Sequence, residues 1–202
     1  KSVVKVLNSS LAKGRLFVKY KFFIKEPDLD KDLKLDFGCG ETPKDGFVGV
    51  DIRDLPSVKY VCPSWEIDKL VPAIVTEIYS RHFIEHLTFP QVNLTLRSWK
   101  KILVPGGKVQ IIVPDIRYHI DQFLEADPSK PSSANPEWTV LEHAIAGFWG
   151  WQREGNNKMW DVHKSGYDFR LISMRLAEHG FCDIQRVVDE EYNLNVICRK
   201  PK

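Results

Sequence analysis

Short runs of β-branched and aromatic residues recur along the chain and alternate with segments of helical periodicity. They are typical of buried strands and lie at residues 35–37, 48–52, 59–62, 77–81, 109–113, 183–188 and 195–198. Because strands that alternate with helices usually form parallel sheets, this pattern predicts an α/β fold around a mostly parallel sheet of seven strands. Only residues 189–194 separate the last two runs, so we expect those strands to pair antiparallel as a hairpin.

Two helices between these strands are predicted from their apolar spacing and from the residues at their ends. Residues 88–103 carry apolar side chains at helical intervals after a capping-box pattern that begins at Thr88. The Pro-Gly-Gly sequence at 105–107 is expected to end this helix and to turn the chain into the next strand. The second helix is predicted over about 168–179, with Gly180 as its C-terminal stop.

The 202 residues suffice for one domain with a sizeable core. We expect a basic N-terminal extension over residues 1–33 and a single domain over 34–202. Residues 115–166 do not fit the alternation of strands and helices, so they are expected to form a lid or substrate-binding insertion. A turn-rich stretch lies at 125–137, and residues 138–160 hold four of the six tryptophans.

The charge of the chain is nearly balanced overall but uneven along its length. The net charge is +2, yet residues 1–25 hold seven basic residues and no acidic one, so the remainder carries 22 basic and 27 acidic residues. This acidic remainder argues against nucleic acid as a partner of the domain. Residues 15–25 interleave cations with large apolar side chains. That pattern suits peripheral contact with an anionic membrane or nucleic acid, or a solvated face on a segment that covers the sheet.

Membrane, targeting and disulfide signals are all weak in this sequence. No apolar run reaches the roughly 18 residues that span a bilayer, and the Lys-rich start lacks the apolar stretch of a signal peptide. A cytoplasmic location is therefore the expectation. The four cysteines lie far apart without a Cys-x-x-Cys pair, which favours reduced thiols over a zinc knuckle or a disulfide scaffold.

The first two predicted strands carry the pattern of a nucleoside-binding site. The sequence LDFGCG at 35–40 is a strand that ends in a glycine turn, and GVDI at 49–52 ends the next strand. Gly38 and Gly40 allow a ligand to approach the backbone closely. Asp51, at the tip of the second strand, is placed to accept hydrogen bonds from ribose hydroxyls at the carboxyl edge of the sheet. A tight turn without a ligand is the alternative explanation of the glycines.

The residues around this turn favour S-adenosylmethionine over a dinucleotide. Pyrophosphate needs a helix N-terminus and a third glycine, but Pro43 occupies that position, and residues 41–46 are too few for a crossover helix. S-adenosylmethionine carries a sulfonium cation and no phosphate, so the carboxylate of Asp36 beside the turn suits its positive charge. The expected cofactor is S-adenosylmethionine.

Five segments together resemble the class I S-adenosylmethionine-dependent methyltransferases: LDFGCG, GVDI, SRHFIEHL, LVPGGKVQIIVPD and HGFCDIQRV. The resemblance covers about residues 34–124 and 163–200. It is closest to the small bacterial type with a short link between the first two strands, which is often found with sugar and cell-surface biosynthesis enzymes. It implies a Rossmann-like three-layer sandwich and the transfer of a methyl group.

The resemblance also implies which residues hold the cofactor. The glycine turn and the acid before it would contact the methionine end, Asp51 would bind the ribose, and Ile52 would flank the adenine. The turn after the third strand, where many members carry an acid, would also face the adenine, and the residue after the fourth strand would line the cofactor. The positions carried over are Asp36, Gly38, Cys39, Gly40, Asp51, Ile52, Ser64, Trp65 and His82. Thr42 stands where the wider family has a third glycine.

The sequence His82-Phe83-Ile84-Glu85-His86 also matches the H-x-x-E-H signature of zinc peptidases, in which two histidines one helical turn apart bind the metal. Such a site needs a third protein ligand and a metal-ready cleft, whereas this motif follows a predicted strand. In the methyltransferases the same place is a strand-end turn, where the residues matching Glu85 and His86 support local packing. We therefore expect no metal site.

The acceptor site is expected beyond the carboxyl ends of the strands, under the tryptophan-rich insertion. Aromatic faces beside hydrogen-bonding groups suit a small molecule such as a sugar or glycan precursor, although packing of the lid explains the tryptophans equally well. Transfer to an oxygen benefits from a general base. His163 is the first candidate because its ordinary pKa suits neutral pH, and Asp115 and His82 follow it.

Two other functions are alternatives to methyl transfer to a small molecule. One is a noncatalytic module that keeps the fold as an interaction scaffold, and the intact Asp36, Gly38, Gly40 and Asp51 argue against it. The other is an RNA or protein methyltransferase. The acidic remainder of the chain and the lack of a base-flipping motif after the fourth strand argue against that function.

Overall fold

A computed structural model of the protein describes residues 23–24, 32–125, 127, 129–152, 158–188 and 191–202. Most of the predicted extension, including all of segment 15–25 apart from Phe23 and Ile24, lies outside the described residues. The predicted domain boundary at residue 33 and the limits of the insertion stay predictions.

The described residues form one sheet of eight strands. The strands are β1 (Phe23–Ile24), β2 (Leu33–Phe37), β3 (Val48–Asp51), β4 (Val58–Val61), β5 (Val75–Arg81), β6 (Leu103–Pro114), β7 (Cys182–Val187) and β8 (Asn193–Arg199). Their order in the sheet is β1-β4-β3-β2-β5-β6-β8-β7. Neighbours from β4 to β6 pair parallel, whereas β8 pairs antiparallel with both β6 and β7. The seven predicted strands, the mostly parallel sheet and the C-terminal hairpin are confirmed, and β1 is a two-residue edge strand antiparallel to β4.

Four α-helices and three short 3₁₀ segments connect these strands in the described part of the chain. The helices are α1 (Phe89–Ile102), α2 (Ile116–Glu125), α3 (Val140–Trp149) and α4 (Phe169–Glu178), and the 3₁₀ segments are Ser64–Lys69, Ile84–His86 and Lys158–Asp161. Both predicted helices are confirmed. The predicted capping box precedes α1, and there the side-chain oxygen of Gln91 accepts a hydrogen bond from the N–H of Thr88 at 2.9 Å.

The Pro-Gly-Gly sequence at 105–107 lies inside β6, so the prediction of a separate turn was wrong. The strand begins at Leu103, directly after α1. The N–H of Gly106 donates to the carbonyl of Lys200 at 3.0 Å, and the N–H of Lys200 donates to the carbonyl of Gly107 at 2.9 Å. Gly106 has a φ of +77°, a left-handed value that favours glycine. Pairing with the distant C-terminal segment therefore replaces the local turn.

One face of the sheet carries the hydrophobic core. Phe37 and Ile78 of the central strands are fully buried there, together with Trp99 of α1. The ring of Trp99 lies 5.0 Å from the ring of Phe37, centroid to centroid. α4 adds Ile172 and Leu176 to the same core. This packing fixes the carboxyl ends of β2 and β5, which position the site.

The opposite face of the same strands carries polar side chains. Glu77 of β5 accepts a hydrogen bond from Lys108 of β6 at 2.8 Å and lies 3.7 Å from the ammonium of Lys34 in β2. Burial alone would raise the pKa of Glu77, but the hydrogen bond and charge of Lys108 hold it below its ordinary value. Residues 38–47 and 52–57, all of them described, form no helix. The connections from β2 to β3 and from β3 to β4 therefore supply no helix to cover the sheet.

None of the helices in the described part of the chain is both long and apolar enough to cross a membrane. The four cysteines all lie in that part and are free thiols. Burial raises the pKa of Cys39 and of Cys198 to about 12, so these two thiols stay protonated and poorly reactive at neutral pH.

Trp99 is expected to contribute more to stability than any exposed apolar residue on the same helix. Trp99→Ala should lower the free energy of unfolding by about 3–5 kcal/mol, because a large fully buried ring is replaced by a cavity. Leu94→Ala is the matched control, since Leu94 also lies on α1 but is 46% exposed. Urea unfolding measures both. Equal losses in the two variants would contradict the packing described here.

Candidate active site

The carboxyl ends of β2 to β5 surround a cavity of about 220 Å³, here called the first cavity. Ligands of parallel sheets bind at this edge. The glycine turn after β2, the end of β3 and the turns after β4 and β5 all contribute to its wall. Six of the residues predicted to hold the cofactor line it: Gly38, Asp51, Ile52, Ser64, Trp65 and His82.

Both carboxylate oxygens of Asp51 are already hydrogen-bonded. Oδ2 accepts from the N–H of Gly40 at 3.1 Å, and Oδ1 accepts from the N–H of Arg53 at 2.9 Å. The guanidinium of Arg53 also donates to both oxygens, at 3.1 Å each. The Gly40 contact fixes the glycine turn against β3. The Arg53 side chain is partly exposed and occupies hydrogen-bonding positions that ribose hydroxyls would need.

Asp36 lies just behind the glycine turn and is not among the described residues that line the first cavity. Its Oδ2 accepts a hydrogen bond from the N–H of Lys44 at 2.8 Å, and the residue is 4% exposed. Burial raises the pKa of Asp36 to about 6, and the hydrogen bond and charge of Lys44 offset only part of this effect. The Asp36 carboxylate therefore anchors the link between β2 and β3 at a cost in desolvation.

Close packing explains why Gly38 must be a glycine. Its φ is +69°, and a Cβ built on it would lie 2.4 Å from the ring of Phe83. The Phe83 ring thus fills the space that the sequence analysis assigned to a ligand, although the Gly38 backbone still lines the first cavity. Cys39 and Gly40 complete the turn and are not among the described residues of the cavity wall.

The predicted adenine side of the first cavity is held by α1. The hydroxyl of Ser64 bonds to the hydroxyl of Thr95 at 2.7 Å, and the carbonyl of Trp65 accepts from the hydroxyl of Ser98 at 2.8 Å. Both partners lie on α1 and are buried. Ile52 follows Asp51 directly in the cavity wall, so all three predicted adenine neighbours lie in one cavity.

His82, the residue after β5, has an unusual backbone and a fixed ring. Its φ is +48°, a left-handed value that costs a non-glycine residue energy and is often found at functional sites. Its Nδ1 lies 3.2 Å from Oε1 of the fully buried Glu85. Burial alone would raise the pKa of Glu85, but the hydrogen bond from His82 and the charge of His86 hold it below its ordinary value. An ionised carboxylate can only accept, so Nδ1 of His82 is the donor in this contact, and in the neutral form of the ring the lone pair lies on Nε2.

A second cavity, of about 420 Å³, adjoins the first under the insertion. His82, His86 and Asp161 line both cavities. The wall of the second cavity is rich in aromatic rings, including Trp138 and Trp151. Five of the six histidines of the chain line it: His82, His86, His119, His143 and His163.

Two of these histidines lie on the helices of the insertion and pack against each other. The rings of His119 on α2 and His143 on α3 are 5.0 Å apart. A Cβ on Gly147 would lie 2.3 Å from the His119 ring, so this glycine lets α3 approach α2. Burial lowers the pKa of His119 to about 4 and also lowers that of His143. Both rings are therefore neutral at pH 7.

The structure separates the three predicted catalytic residues. His82 lies where the two cavities meet, and His163 lines only the second cavity. Asp115 is not among the described residues that line either cavity. Its Oδ2 accepts from the guanidinium of Arg186 at 2.8 Å, and its Oδ1 accepts from the N–H of Arg117 at the start of α2. Both carboxylate oxygens of Asp115 therefore hold neighbouring segments of the chain together, and the residue faces neither cavity.

Two residues of the H-x-x-E-H motif, Glu85 and His86, lie in a cluster of possible metal donors with His163, whereas His82 is not part of that cluster. Glu85, His86 and His163 each place one donor atom within 4.8 Å of the others. The rings of His86 and His163 meet edge to face, 5.0 Å apart. The motif lies in a strand-end turn as expected, but its surroundings are more than local packing.

Several residues of the two cavities escaped the sequence analysis. Arg53 follows the predicted ribose ligand by two residues, a spacing that gives no signal of its own. Phe83 was treated only as a spacer within the H-x-x-E-H motif. His119 and His143 lie on separate helices of the insertion, and only the concentration of histidines between positions 82 and 163 pointed to them.

No family model and no curated protein matches this sequence, but solved structures match its fold. An S-adenosylmethionine-dependent methyltransferase from Archaeoglobus fulgidus is 16% identical with a TM-score of 0.53, over 84% of this chain and 86% of that one. The 1,6-didemethyltoxoflavin-N1-methyltransferase of Burkholderia thailandensis, solved with 1,6-didemethyltoxoflavin and S-adenosylhomocysteine, is 15% identical with a TM-score of 0.52, over 84% and 71%. An S-adenosylmethionine-dependent methyltransferase from Methanosarcina mazei is 11% identical with a TM-score of 0.52, over 86% and 94%.

These likenesses establish the fold. The chain has the α/β, Rossmann-like fold of the S-adenosylmethionine-dependent methyltransferases, with a mostly parallel sheet and antiparallel C-terminal strands. At identities of 11–16%, fold is all that the comparison shows. The predicted subtype with a short link between the first two strands stays a prediction.

The buried charge of Asp36 is expected to make stability depend on pH. The pKa of Asp36 is about 6 in the folded chain and 3.8 ordinarily. Between pH 4 and pH 6 the folded state therefore binds more protons at Asp36 than the unfolded state does. The free energy of unfolding consequently falls as the pH rises through this range. Asp36→Asn removes this cost, and the amide oxygen still accepts from Lys44. We expect it to raise the free energy of unfolding at pH 8 by up to about 3 kcal/mol and to change it little at pH 4.

Urea titrations of the Asp36→Asn variant and the unmodified chain at pH 4 and pH 8 measure this difference. Asp45→Asn is the matched control, because Asp45 is exposed in the same link. A change of equal size at both pH values would show that Asp36 is not buried as an ionised group.

Proposed function

We propose that the protein transfers a methyl group from S-adenosylmethionine to an oxygen of a small-molecule acceptor. The observation that carries this proposal is the pair of adjoining cavities at the carboxyl edge of a methyltransferase-type sheet. Six of the nine predicted cofactor residues line the first cavity, and the second lies under the insertion and shares His82, His86 and Asp161 with it. Methyl transfer needs donor and acceptor side by side, and two adjoining cavities suit that arrangement.

In the first cavity, Asp51 is proposed to bind the ribose hydroxyls and Ile52, Ser64 and Trp65 to surround the adenine. Ribose binding then requires the Arg53 guanidinium to leave its two 3.1 Å contacts with Asp51. The backbone contacts of Asp51 with Gly40 and Arg53 can persist. Asp36, Gly38, Cys39 and Gly40 are proposed to form the methionine side, where the positive amino group and sulfonium favour a nearby acid.

In the second cavity, a sugar or related metabolite is the proposed acceptor. Neutral imidazoles offer both donors and lone pairs to hydroxyl groups, and the rings of Trp138 and Trp151 offer apolar faces. The solved methyltransferase from Burkholderia thailandensis holds 1,6-didemethyltoxoflavin and S-adenosylhomocysteine, which supports a small molecule as the acceptor.

His82 is proposed as the general base, ahead of His163 and Asp115. His82 lines both cavities, which supports a role between the two proposed binding sites, and its Nδ1 lies 3.2 Å from Oε1 of Glu85, which orients the ring. In the reaction, an oxygen lone pair of the acceptor attacks the sulfonium methyl carbon and the bond from sulfur to methyl breaks. The sulfur keeps that electron pair in S-adenosylhomocysteine, and the hydroxyl proton passes to Nε2 of His82.

We also propose that the chain belongs to the short-link bacterial subtype and that it is cytoplasmic. Peripheral membrane contact through residues 15–25 is a further proposal. The noncatalytic alternative predicts cofactor binding without turnover, or no binding at all.

Asp51→Asn tests the cofactor site. We expect the variant to bind S-adenosylhomocysteine at least about tenfold more weakly, because charge-assisted hydrogen bonds to ribose are replaced by weaker ones. Titration calorimetry measures the affinity, with Asp45→Asn in the neighbouring exposed link as the control. Failure of the unmodified chain to bind S-adenosylhomocysteine would refute the proposed function.

His82→Asn tests the base. Asparagine tolerates a left-handed backbone, so the variant keeps the conformation of the turn while losing the imidazole. The rate of S-adenosylhomocysteine release with a panel of sugars, sugar nucleotides and phenols is expected to fall roughly 10²- to 10⁴-fold.

His179→Asn, on the C-terminal cap of α4, is the control for loss of a histidine elsewhere. An unchanged rate in His82→Asn would remove His82 from the mechanism. Binding of S-adenosylhomocysteine without turnover on any acceptor would favour the noncatalytic alternative.

A further inference from the structure

We propose that Glu85, His86 and His163 bind a divalent transition-metal ion, with Zn²⁺ as the ion to test, at the edge of the second cavity. The three residues offer one carboxylate oxygen and two imidazole nitrogens, a donor set that suits Zn²⁺. One donor atom from each lies within 4.8 Å of the other two. This proposal departs from our expectation that the chain has no metal centre, and the titration described below decides between the two.

Backbone hydrogen bonds hold the two segments that carry these donors. The carbonyl of Glu85 accepts from the N–H of Lys164 at 2.7 Å and from the N–H of Ser165 at 3.1 Å. The Ser165 hydroxyl donates to the carbonyl of Ile84 at 3.1 Å. His163 is therefore tied to the Glu85–His86 turn on its C-terminal side, so little backbone order has to be gained when the ion binds.

The hydrogen bonds of both histidines leave the same nitrogen free. Nδ1 of His86 lies 3.2 Å from the carbonyl oxygen of Val162, and Nδ1 of His163 lies 3.0 Å from that of Gly147. A carbonyl only accepts, so Nδ1 is the donor in both contacts, and in the neutral form that binds a metal each ring has its lone pair on Nε2. Metal-binding histidines characteristically donate their second ring N–H in this way to a carbonyl or carboxylate.

Glu85 supplies charge and an unused oxygen. Its side chain is 1% exposed, and Oε1 faces His82. Oε2 is buried and has no hydrogen-bond partner among the described residues. A buried carboxylate oxygen without a partner costs free energy, and a cation bound to Oε2 removes that cost while leaving the contact between Oε1 and His82 intact.

The three donors leave the coordination shell of the ion incomplete. Zinc–ligand bonds of about 2.0–2.2 Å place tetrahedral donor atoms roughly 3.3 Å apart, so small side-chain rotations suffice to close the site from its present spacing. Three protein ligands leave one position open, as in catalytic zinc sites. His86 and His163 line the second cavity, so an exogenous hydroxyl there can fill that position; this role rests on the proposed function, whereas binding of the ion does not.

The test is a zinc titration of the full chain without cofactor or acceptor. The protein is first stripped with a chelator, and Zn²⁺ is then titrated against a chromophoric chelator of known affinity. We expect one tightly bound equivalent per chain and a higher thermal midpoint in its presence. Glu85→Gln and His163→Gln should each weaken binding at least about tenfold, since loss of even an outer partner of a ligand costs that much.

Two control variants separate the cluster from the histidine-rich wall around it. His143→Gln removes a histidine of the same cavity, and His179→Gln removes the one histidine that does not line it; neither should change zinc affinity by more than about twofold. Circular dichroism and the thermal midpoint without metal verify that each variant folds. Two variants at the cluster guard against a folding defect in one of them.

The outcomes are distinct. No zinc uptake, uptake that Glu85→Gln and His163→Gln leave unchanged, or an equal loss in His143→Gln would each overturn the proposal. Because the titration contains neither S-adenosylmethionine nor an acceptor, failure here leaves the methyl-transfer proposal standing. Failure of S-adenosylhomocysteine binding leaves the zinc result standing.

Discussion

The backbone carbonyl of Glu85 ties the insertion to the carboxyl edge of the sheet, and both cavities depend on this tie. It accepts hydrogen bonds from two successive N–H groups, those of Lys164 and Ser165. Residues just before them, Trp160 and Asp161, then reach the wall of the first cavity. The same return of the chain brings His163 beside His86. This backbone acceptor on a 3₁₀ turn, together with the contact between Ser165 and Ile84, thus holds the end of the insertion against the sheet.

The pKa values of the ionisable groups in the site depend on how deeply each group is buried and on the charges beside it. Asp36 is buried behind the glycine turn and its pKa rises to about 6, whereas Glu85 is equally buried but has His82 and His86 beside it, and its pKa falls. Burial lowers the pKa values of His119, His143 and His163 for the same reason that it raises that of Asp36, because burial disfavours the charged form. The pKa of His119 falls to about 4. These three rings therefore offer lone pairs to the second cavity at neutral pH.

Local patterns were sufficient for most of the fold. The strands β2 to β8, helices α1 and α4, and the C-terminal hairpin follow from periodicity, caps and loop lengths that each involve neighbouring residues. The Pro-Gly-Gly sequence was misjudged because its hydrogen bonds go to Lys200, nearly a hundred positions away. Asp51, Ile52, Ser64 and Trp65 line one cavity; Asp51 was predicted from its place at the end of a strand, and the other three from the resemblance to a known family.

The residues that form the second cavity could not be predicted from the sequence, because they too meet through contacts between distant segments. His82, His119, His143 and His163 come from four separate segments, and their proximity depends on how α2 and α3 pack over the sheet. The close approach that Gly147 permits has no local signature. The H-x-x-E-H motif is visible in the sequence, but the approach of His163 to Glu85 and His86 depends on contacts between segments about 80 residues apart.

The polar face of the sheet, with Glu77 between Lys34 and Lys108, means that β5 is deeply buried on one side only in the described part of the chain. Strand β8 differs, because its first four residues, Asn193 to Val196, are all buried. Along β5 the exposure alternates, with Ile78 and Ser80 buried and Glu77 and Tyr79 partly open. Tolerance of amino-acid replacement along β5 should therefore alternate from one position to the next, which leaves evolution and protein engineering freedom on one side of that strand.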